Sequence, residues 1–206
     1  MSTWRELTDR NPSHSHDYAR RWQTMLDRGE DIDGEARLID ALVPRGARIL
    51  DAGCGQGRLG GYLAERGHRV TGIDIDPVLI DHARARYEGE WRVGDLCHDP
   101  LPTDCDLVVA AGNVMCFLDP FGRQAALDNI AAALRPGGRF VAGFGAGRGW
   151  AFDDFLATAT AAGLEPEHLF GTWDLQPFTE GSDFLVAVLT RPGQPGRRTP
   201  ARTRTP

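Results

Sequence analysis

Residues 49–61, ILDAGCGQGRLGG, constrain this chain more than any other stretch. A short apolar run ends in Asp51, and glycines follow at positions 53, 55 and 57, then at 60 and 61. Glycine permits positive φ and lets the backbone approach a ligand to contact distance. The stretch therefore reads as a strand, a ligand-holding turn and a helix start. Gly55–Gly60 formally satisfies GxGxxG, the turn of dinucleotide-binding folds, so the surrounding residues have to decide what the turn holds.

Strands and helices alternate around this turn. Residues 47–51 read as a strand and 58–66 as a helix stopped by Gly67; 69–74 is the next strand, and Pro77 opens a helix to Arg86 behind Asp76 as its N-cap. Residues 90–95 and 106–112 give two more strands, 121–134 a helix, 136–144 a fifth strand, and 152–163 a helix closed by Gly163. Two strand-like runs, 164–178 and 182–190, follow without a helix between them, so they are expected to pair antiparallel. Upstream, residues 1–16 look irregular. Tyr18, Trp22, Met25 and Leu26 mark one face of a helix, and Ile32, Ala36, Ile39 and Val43 mark a second that ends near Pro44. The fold class is α/β: a doubly wound, seven-stranded sheet, mostly parallel, with one antiparallel strand near the C-terminus.

The totals narrow the function. The 206 residues suit one core with appendages, and no apolar run reaches a membrane span or a signal-peptide core, so the expectation is a cytoplasmic protein without a membrane partner. All 23 basic residues are arginine, which removes lysine Schiff bases and the lysine-dependent nucleotide loop. Residues 191–206 carry five arginines and no acid; the remainder has 18 basic against 29 acidic side chains, or −11. Such a body does not attract nucleic acid by general electrostatics, and the tail lacks the aromatic platforms of a single-strand binder. Cys54, Cys97, Cys105 and Cys116 fit no zinc spacing, so no metal is expected.

The acid before the glycines resolves the turn. A dinucleotide strand runs apolar into its first glycine, whereas DAGCGQG begins with Asp51, which would repel a pyrophosphate. This stretch resembles motif I of the class I S-adenosylmethionine-dependent methyltransferases. VTGIDID supplies an acid at the second strand end, Asp74, able to accept both ribose hydroxyls bidentately, although dinucleotide enzymes place an acid similarly. WRVGDL resembles the family's third element, in which Asp95 meets the adenine amino group and the Leu96 amide a ring nitrogen. DLVVAAGNVMCFLD, opening at Asn113 beside the transferable methyl, and LRPGGRFV complete the pattern over residues 45–190. The resemblance implies S-adenosylmethionine as cofactor and S-adenosylhomocysteine as product. The expected cofactor-side residues are Asp51, Gly53, Cys54, Gly55, Asp74, Ile75, Asp95, Leu96, Asn113, Tyr18 and Trp22. Asp51 has two readings, contact with the cofactor's amino end or anchorage of the glycine loop. Residues 1–44 are read as a helical lid on the substrate side, 45–190 as the Rossmann-like cofactor domain, and 191–206 as a disordered tail.

The implied reaction is in-line displacement, for which alignment alone supplies much of the rate and a base is optional. No catalytic residue stands out; His14, His16, Tyr18 and Asn113 are the candidates, each with a plain surface or packing reading beside it. NVMC lacks the prolines and ring of the [DN]PP[YFW] pattern for planar nitrogen. The expected acceptor is therefore a small molecule methylated on oxygen or nitrogen, oxygen preferred, with Met115, Phe117 and Trp173 on the acceptor side and Asp174 and Phe178 at its rim. A non-catalytic cofactor-binding regulator and an NAD(P)-linked oxidoreductase are the alternatives, and the chain is read as a monomer or homodimer.

Overall fold

A computed structural model describes residues 2–193; the reading of the tail beyond them lies outside the described residues. Seven strands form one sheet: β1 Arg48–Ala52, β2 Arg69–Asp74, β3 Glu90–Val93, β4 Cys105–Ala110, β5 Leu134–Gly145, β6 Glu165–Phe170 and β7 Phe184–Thr190. Their order is β3-β2-β1-β4-β5-β7-β6. β1 to β5 run parallel, and β7 is antiparallel to both β5 and β6. The strand order reverses between β1 and β4, which is where an open α/β sheet leaves a crevice at its carboxyl edge.

Strand residues alternate between two cores, one on each face of the sheet. Leu50, Val108 and Phe140 pack with Leu127 and Ile130 of helix α7 (Arg123–Ala133) and Phe155 of helix α8 (Phe152–Ala161). Their strand neighbours Ile49, Leu107, Val109 and Val141 pack on the opposite side. There they meet Ile39 of helix α3 (Gly34–Leu42), Leu63 of α4 (Arg58–Glu65) and Ile80 of α5 (Pro77–Arg86). The doubly wound architecture follows directly from the apolar runs of the central strands. Glycines at 60 and 61 serve this packing: a β-carbon at Gly60 would lie 2.9 Å from the Trp91 ring, and one at Gly61 would overlap Tyr87.

Three local expectations change. Residues 1–16 are not irregular: helix α1 spans Trp4–Arg10, and α2 (His14–Asp27) begins three residues earlier than that reading allows. Thr3 and Glu6 form a capping box, each side chain bonded to the other's backbone amide, so α1 starts at a defined point despite its few apolar side chains. Within the loop at 112–120 lies the short helix α6, Val114–Phe117. The strand expected over 164–178 stops at Phe170, because Gly171 and Leu175 (φ 69°) turn the chain and Trp173 folds back onto the sheet.

That Trp173 ring occupies the space above Gly143 of β5 and would overlap a β-carbon there. Gly143→Ala is expected to cost ~1–3 kcal/mol through overpacking, seen as a fall of several degrees in the thermal unfolding midpoint. An unchanged midpoint would mean that Trp173 is not seated on β5.

Candidate cofactor site

The crevice at the carboxyl ends of β1 to β4 holds a cavity of ≈ 200 Å³. Its floor is the glycine loop. Gly53 has φ 78° and faces Val114, with no room for a β-carbon, and Gly55 has φ 54°. The Gly53 amide donates to the Ile73 carbonyl at 2.7 Å and the Gly55 amide to Asp74 Oδ2 at 2.8 Å. Two elements that are distant in sequence are thereby locked at a shared edge, with only backbone facing the cavity.

Asp51 lies beneath the loop, 2% exposed and outside the cavity lining, and its Oδ2 accepts the Gly60 amide at 2.9 Å. Gly60 is the third residue of α4, so the chain's own carboxylate occupies the helix N-terminus where a dinucleotide fold seats a pyrophosphate. Of the two readings of Asp51, the geometry matches the loop anchor. Burial pushes its carboxyl up to about 7, against a lowering contribution from the Gly60 amide.

Asp74 ends β2 and lines the cavity. Its Oδ1 accepts the Asp76 amide at 2.9 Å and its Oδ2 the Gly55 amide, leaving lone pairs on both oxygens. Burial raises this carboxyl to about 6, opposed by the Asp76 and Gly55 amides. The Asp74 charge also raises Asp51, and the Asp76 charge raises Asp74. Both carboxyls hold a proton more tightly in the folded chain than in the unfolded one. Their contribution to stability therefore declines as pH rises from about 4 through 6 and 7, and is constant above. A cationic ligand in the crevice would offset that cost.

At the third strand end, Asp95 Oδ1 accepts the Cys97 amide at 2.9 Å, while the Asp95 amide donates to Asp99 Oδ2 at 2.8 Å. Ile75, Gly94, Asp95 and Leu96 form that wall of the cavity, and Ala111, Gly112, Val114 and Phe117 form another. A helical cover with Tyr18 was expected, but the part supplied by α1 was not: its N-cap Thr3 and first-turn residues Trp4 and Arg5 join Tyr18 of α2. Trp4 packs edge-on against His14, Tyr18 and Phe117, with ring centroids 4.9, 5.5 and 5.6 Å away. The T-x-x-E pattern of Thr3–Glu6 was the signal that would have found it.

Of the sequence-derived residues, Tyr18, Gly53, Gly55, Asp74, Ile75, Asp95, Leu96 and Phe117 line the cavity. The others are placed elsewhere. Cys54 is buried behind the loop against Gly72, its thiol raised well above the usual range by burial. Trp22 stacks beneath the Arg58 guanidinium at 4.5 Å, and Arg58 in turn pairs with Glu35 at 3.1 Å. Asn113 has φ 68° and its Oδ1 accepts the Gly145 amide at 2.9 Å, so this side chain ties β4 to β5 rather than facing a ligand. Met115 is fully buried core, and Trp173 is committed to Gly143. Asp174 is exposed, and Phe178 packs against Phe152. His14 supports Trp4 from outside the lining, while His16 is exposed beside His82. Burial raises the Tyr18 phenol, which removes it as a base near neutral pH, and pushes the Cys116 thiol up to about 11, which removes it as a nucleophile.

The lining fits S-adenosylmethionine: backbone alone at Gly53 and Gly55, carboxylates at Asp74 and Asp95, and apolar walls between them. Comparison with known proteins agrees. A family model described as a methyltransferase domain matches residues 49–138. The crystal structure of a TehB-like SAM-dependent methyltransferase from Corynebacterium glutamicum is similar at TM-score 0.85 and 60% identity, covering 87% of this chain and 99% of that one. The chain is 41% identical over 91 residues to the magnesium-protoporphyrin O-methyltransferase of Rhodobacter capsulatus, covering 41% of this chain and 39% of that protein. It is 30% identical over 123 residues to the ribosomal RNA small subunit methyltransferase C of Chromohalobacter salexigens, covering 53% of this chain and 36% of that protein. The match thus spans little more than a third of the length of these two curated relatives. Sheet topology, cavity lining and near-full-length similarity to the Corynebacterium glutamicum enzyme converge: the chain belongs to the class I S-adenosylmethionine-dependent methyltransferases, and S-adenosylmethionine is its cofactor.

Proposed function

We propose that the chain transfers a methyl group from S-adenosylmethionine to a small-molecule acceptor, with oxygen preferred over nitrogen. The observation that carries this reading is the roof: α1 and α2 cover the cavity with Thr3, Trp4, Arg5 and Tyr18, a cover that favours a small guest over a base still attached to a folded nucleic acid. The acidic body, with 29 carboxylates against 23 arginines, supports the same choice. One relative's name specifies ribosomal RNA and another's a porphyrin oxygen; the roof and the charge favour the second kind of acceptor.

Gly53 and Gly55 would admit the cofactor's methionine and ribose portions against bare backbone, Asp74 would accept the ribose hydroxyls, and Asp95 with Leu96 would hold the purine. The bound cofactor supplies a sulfonium-activated methyl group. Trp4, Val114 and Phe117 exclude water from its neighbourhood, and the backbone-fixed loop holds the partners in line, where alignment contributes most of the rate. Within this reading residues 1–44 are the substrate-side segment, with α1 and α2 as cover and α3 packed on the sheet, and 45–190 is the transferase domain. The location is cytoplasmic, in keeping with four buried free thiols. No helix among the described residues is long and apolar enough to cross a membrane.

Incubation with methyl-labelled cofactor should label members of a panel of hydroxylated and amino small molecules and leave a ribosomal RNA fragment unlabelled. Label on the RNA alone, or on nothing despite cofactor binding, would overturn the proposal.

A second expectation concerns the ribose. Asp74, at about 6 in the free protein, must be ionised to accept both hydroxyls. Affinity for S-adenosylhomocysteine should therefore be flat above pH ~7 and fall by up to about tenfold per unit below pH 6. Asp74→Asn should weaken binding about tenfold or more at pH 7.5 and abolish the pH step. Calorimetry between pH 5 and 8 reads both effects; a pH-independent wild type with an equally tight variant would place the ribose elsewhere.

A further inference from the structure

The roof helix is attached in a way that bears on cofactor exchange. α1 has no fully buried residue, and seven residues are too few for a helix to persist alone in water. Its position is set by the packing of Trp4 against His14, Tyr18 and Phe117 and by polar contacts with the ends of β2 and β3. The Trp4 Nε1–H donates to Asp76 Oδ2 at 2.8 Å, and the Arg5 guanidinium pairs with Asp95 Oδ2 at 3.2 Å. Asp76 is itself immobile: it is buried, its Oδ1 caps α5 through the Val78 amide at 2.9 Å and the Leu79 amide at 3.4 Å, and it accepts the Ser15 hydroxyl. Arg5 is 65% exposed, so its pair with Asp95 contributes little. That leaves the bond from Trp4 to Asp76 as the main polar tie of α1.

Thr3, Trp4 and Arg5 form one side of the cavity, and Asp74, Ile75, Asp95 and Leu96 form the other. A molecule seated between them is covered while α1 is docked. Undocking α1 disturbs neither hydrophobic core, since none of its residues belongs to one. We propose that α1 is a latch over the cofactor site, with the hydrogen bond from Trp4 to Asp76 as its catch, so that Trp4 governs both entry and departure of the cofactor. This rests on the reading of the cavity as the site of S-adenosylmethionine. Trp4 is a positioning residue in this scheme: it acts by holding the roof, and its effect falls on rates more than on affinity. Arg5 adds a smaller restraint, fixing Asp95 Oδ2 while the Cys97 amide fixes Oδ1.

Surface plasmon resonance with S-adenosylhomocysteine over immobilised protein tests this. Trp4→Phe keeps an aromatic ring against His14, Tyr18 and Phe117 while removing the donor. Association and dissociation rate constants should both rise about tenfold, the effect of losing one charge-assisted hydrogen bond, while Kd stays within about threefold. A rise in dissociation alone, with weakened Kd, would show Trp4 to be an ordinary contact and overturn the latch, as would two unchanged rates. Arg5→Ala, an exposed change, should raise both rates by about twofold, and it tests the latch if Trp4→Phe does not fold. Absence of any binding to the wild-type chain would instead overturn the cofactor reading, and the latch with it.

Discussion

The carboxylate of Asp74 holds the site together. One oxygen takes the Gly55 amide and the other the Asp76 amide, so the glycine loop after β1 and the turn after β2 share a single anchor. Neither loop has a regular ladder to fix it at this point, and both carry amides that would be costly to leave unpaired away from water. The anchor satisfies them and leaves an acceptor facing the cavity. Asp51 does the equivalent one layer down, bonding the Gly60 amide at the head of α4. Burying two carboxyls is unfavourable in the free protein, as their raised values show. The arrangement becomes favourable for a ligand that brings positive charge and hydroxyl donors, and unfavourable for one that brings a pyrophosphate.

The same economy of parts recurs at Asp76. It begins α5 as an N-cap, a purely local function, and also accepts from Trp4 and Ser15, which belong to the two covering helices. The end of β2 thus supplies Asp74 to the cavity and Asp76 to its roof. Tyr18 and Cys116 are held in their neutral forms, and Asn113 is spent on β5. Around the cavity lie backbone, aliphatic surface and aromatic edges, together with the polar side chains of Thr3, Arg5, Asp95, His98 and Asp119.

The sequence made some of this legible. Asp76-Pro77 marked a helix start because an N-cap oxygen and a fixed φ are local properties, and α5 begins at Pro77. Asp74 was found as the acid that ends the second strand and Asp95 through the resemblance of WRVGDL to the family's third element, and both line the cavity. Other features depended on partners far along the chain. Trp173 looked like a rim residue, yet its place is decided by the missing side chain of Gly143. Trp22 looked like a cofactor contact, but Arg58 stacks on it and Glu35 pairs with Arg58. Asn113 carried the right residue type at the right position, while its left-handed backbone turns the amide toward Gly145. α1 escaped notice because it has no apolar stripe: it is held by one indole N–H and an aromatic cluster, which no periodicity reveals.

The grip of Asp74 on a ribose is most directly tested from the ligand's side, with the protein left intact. Calorimetric titration of the wild-type chain at pH 7.5 would compare S-adenosylhomocysteine with its analogue lacking the 2′- and 3′-hydroxyls. A loss of about tenfold or more in affinity is expected, since the ionised carboxylate would be left without its two donors. Equal affinities would contradict it and move the sugar away from β2.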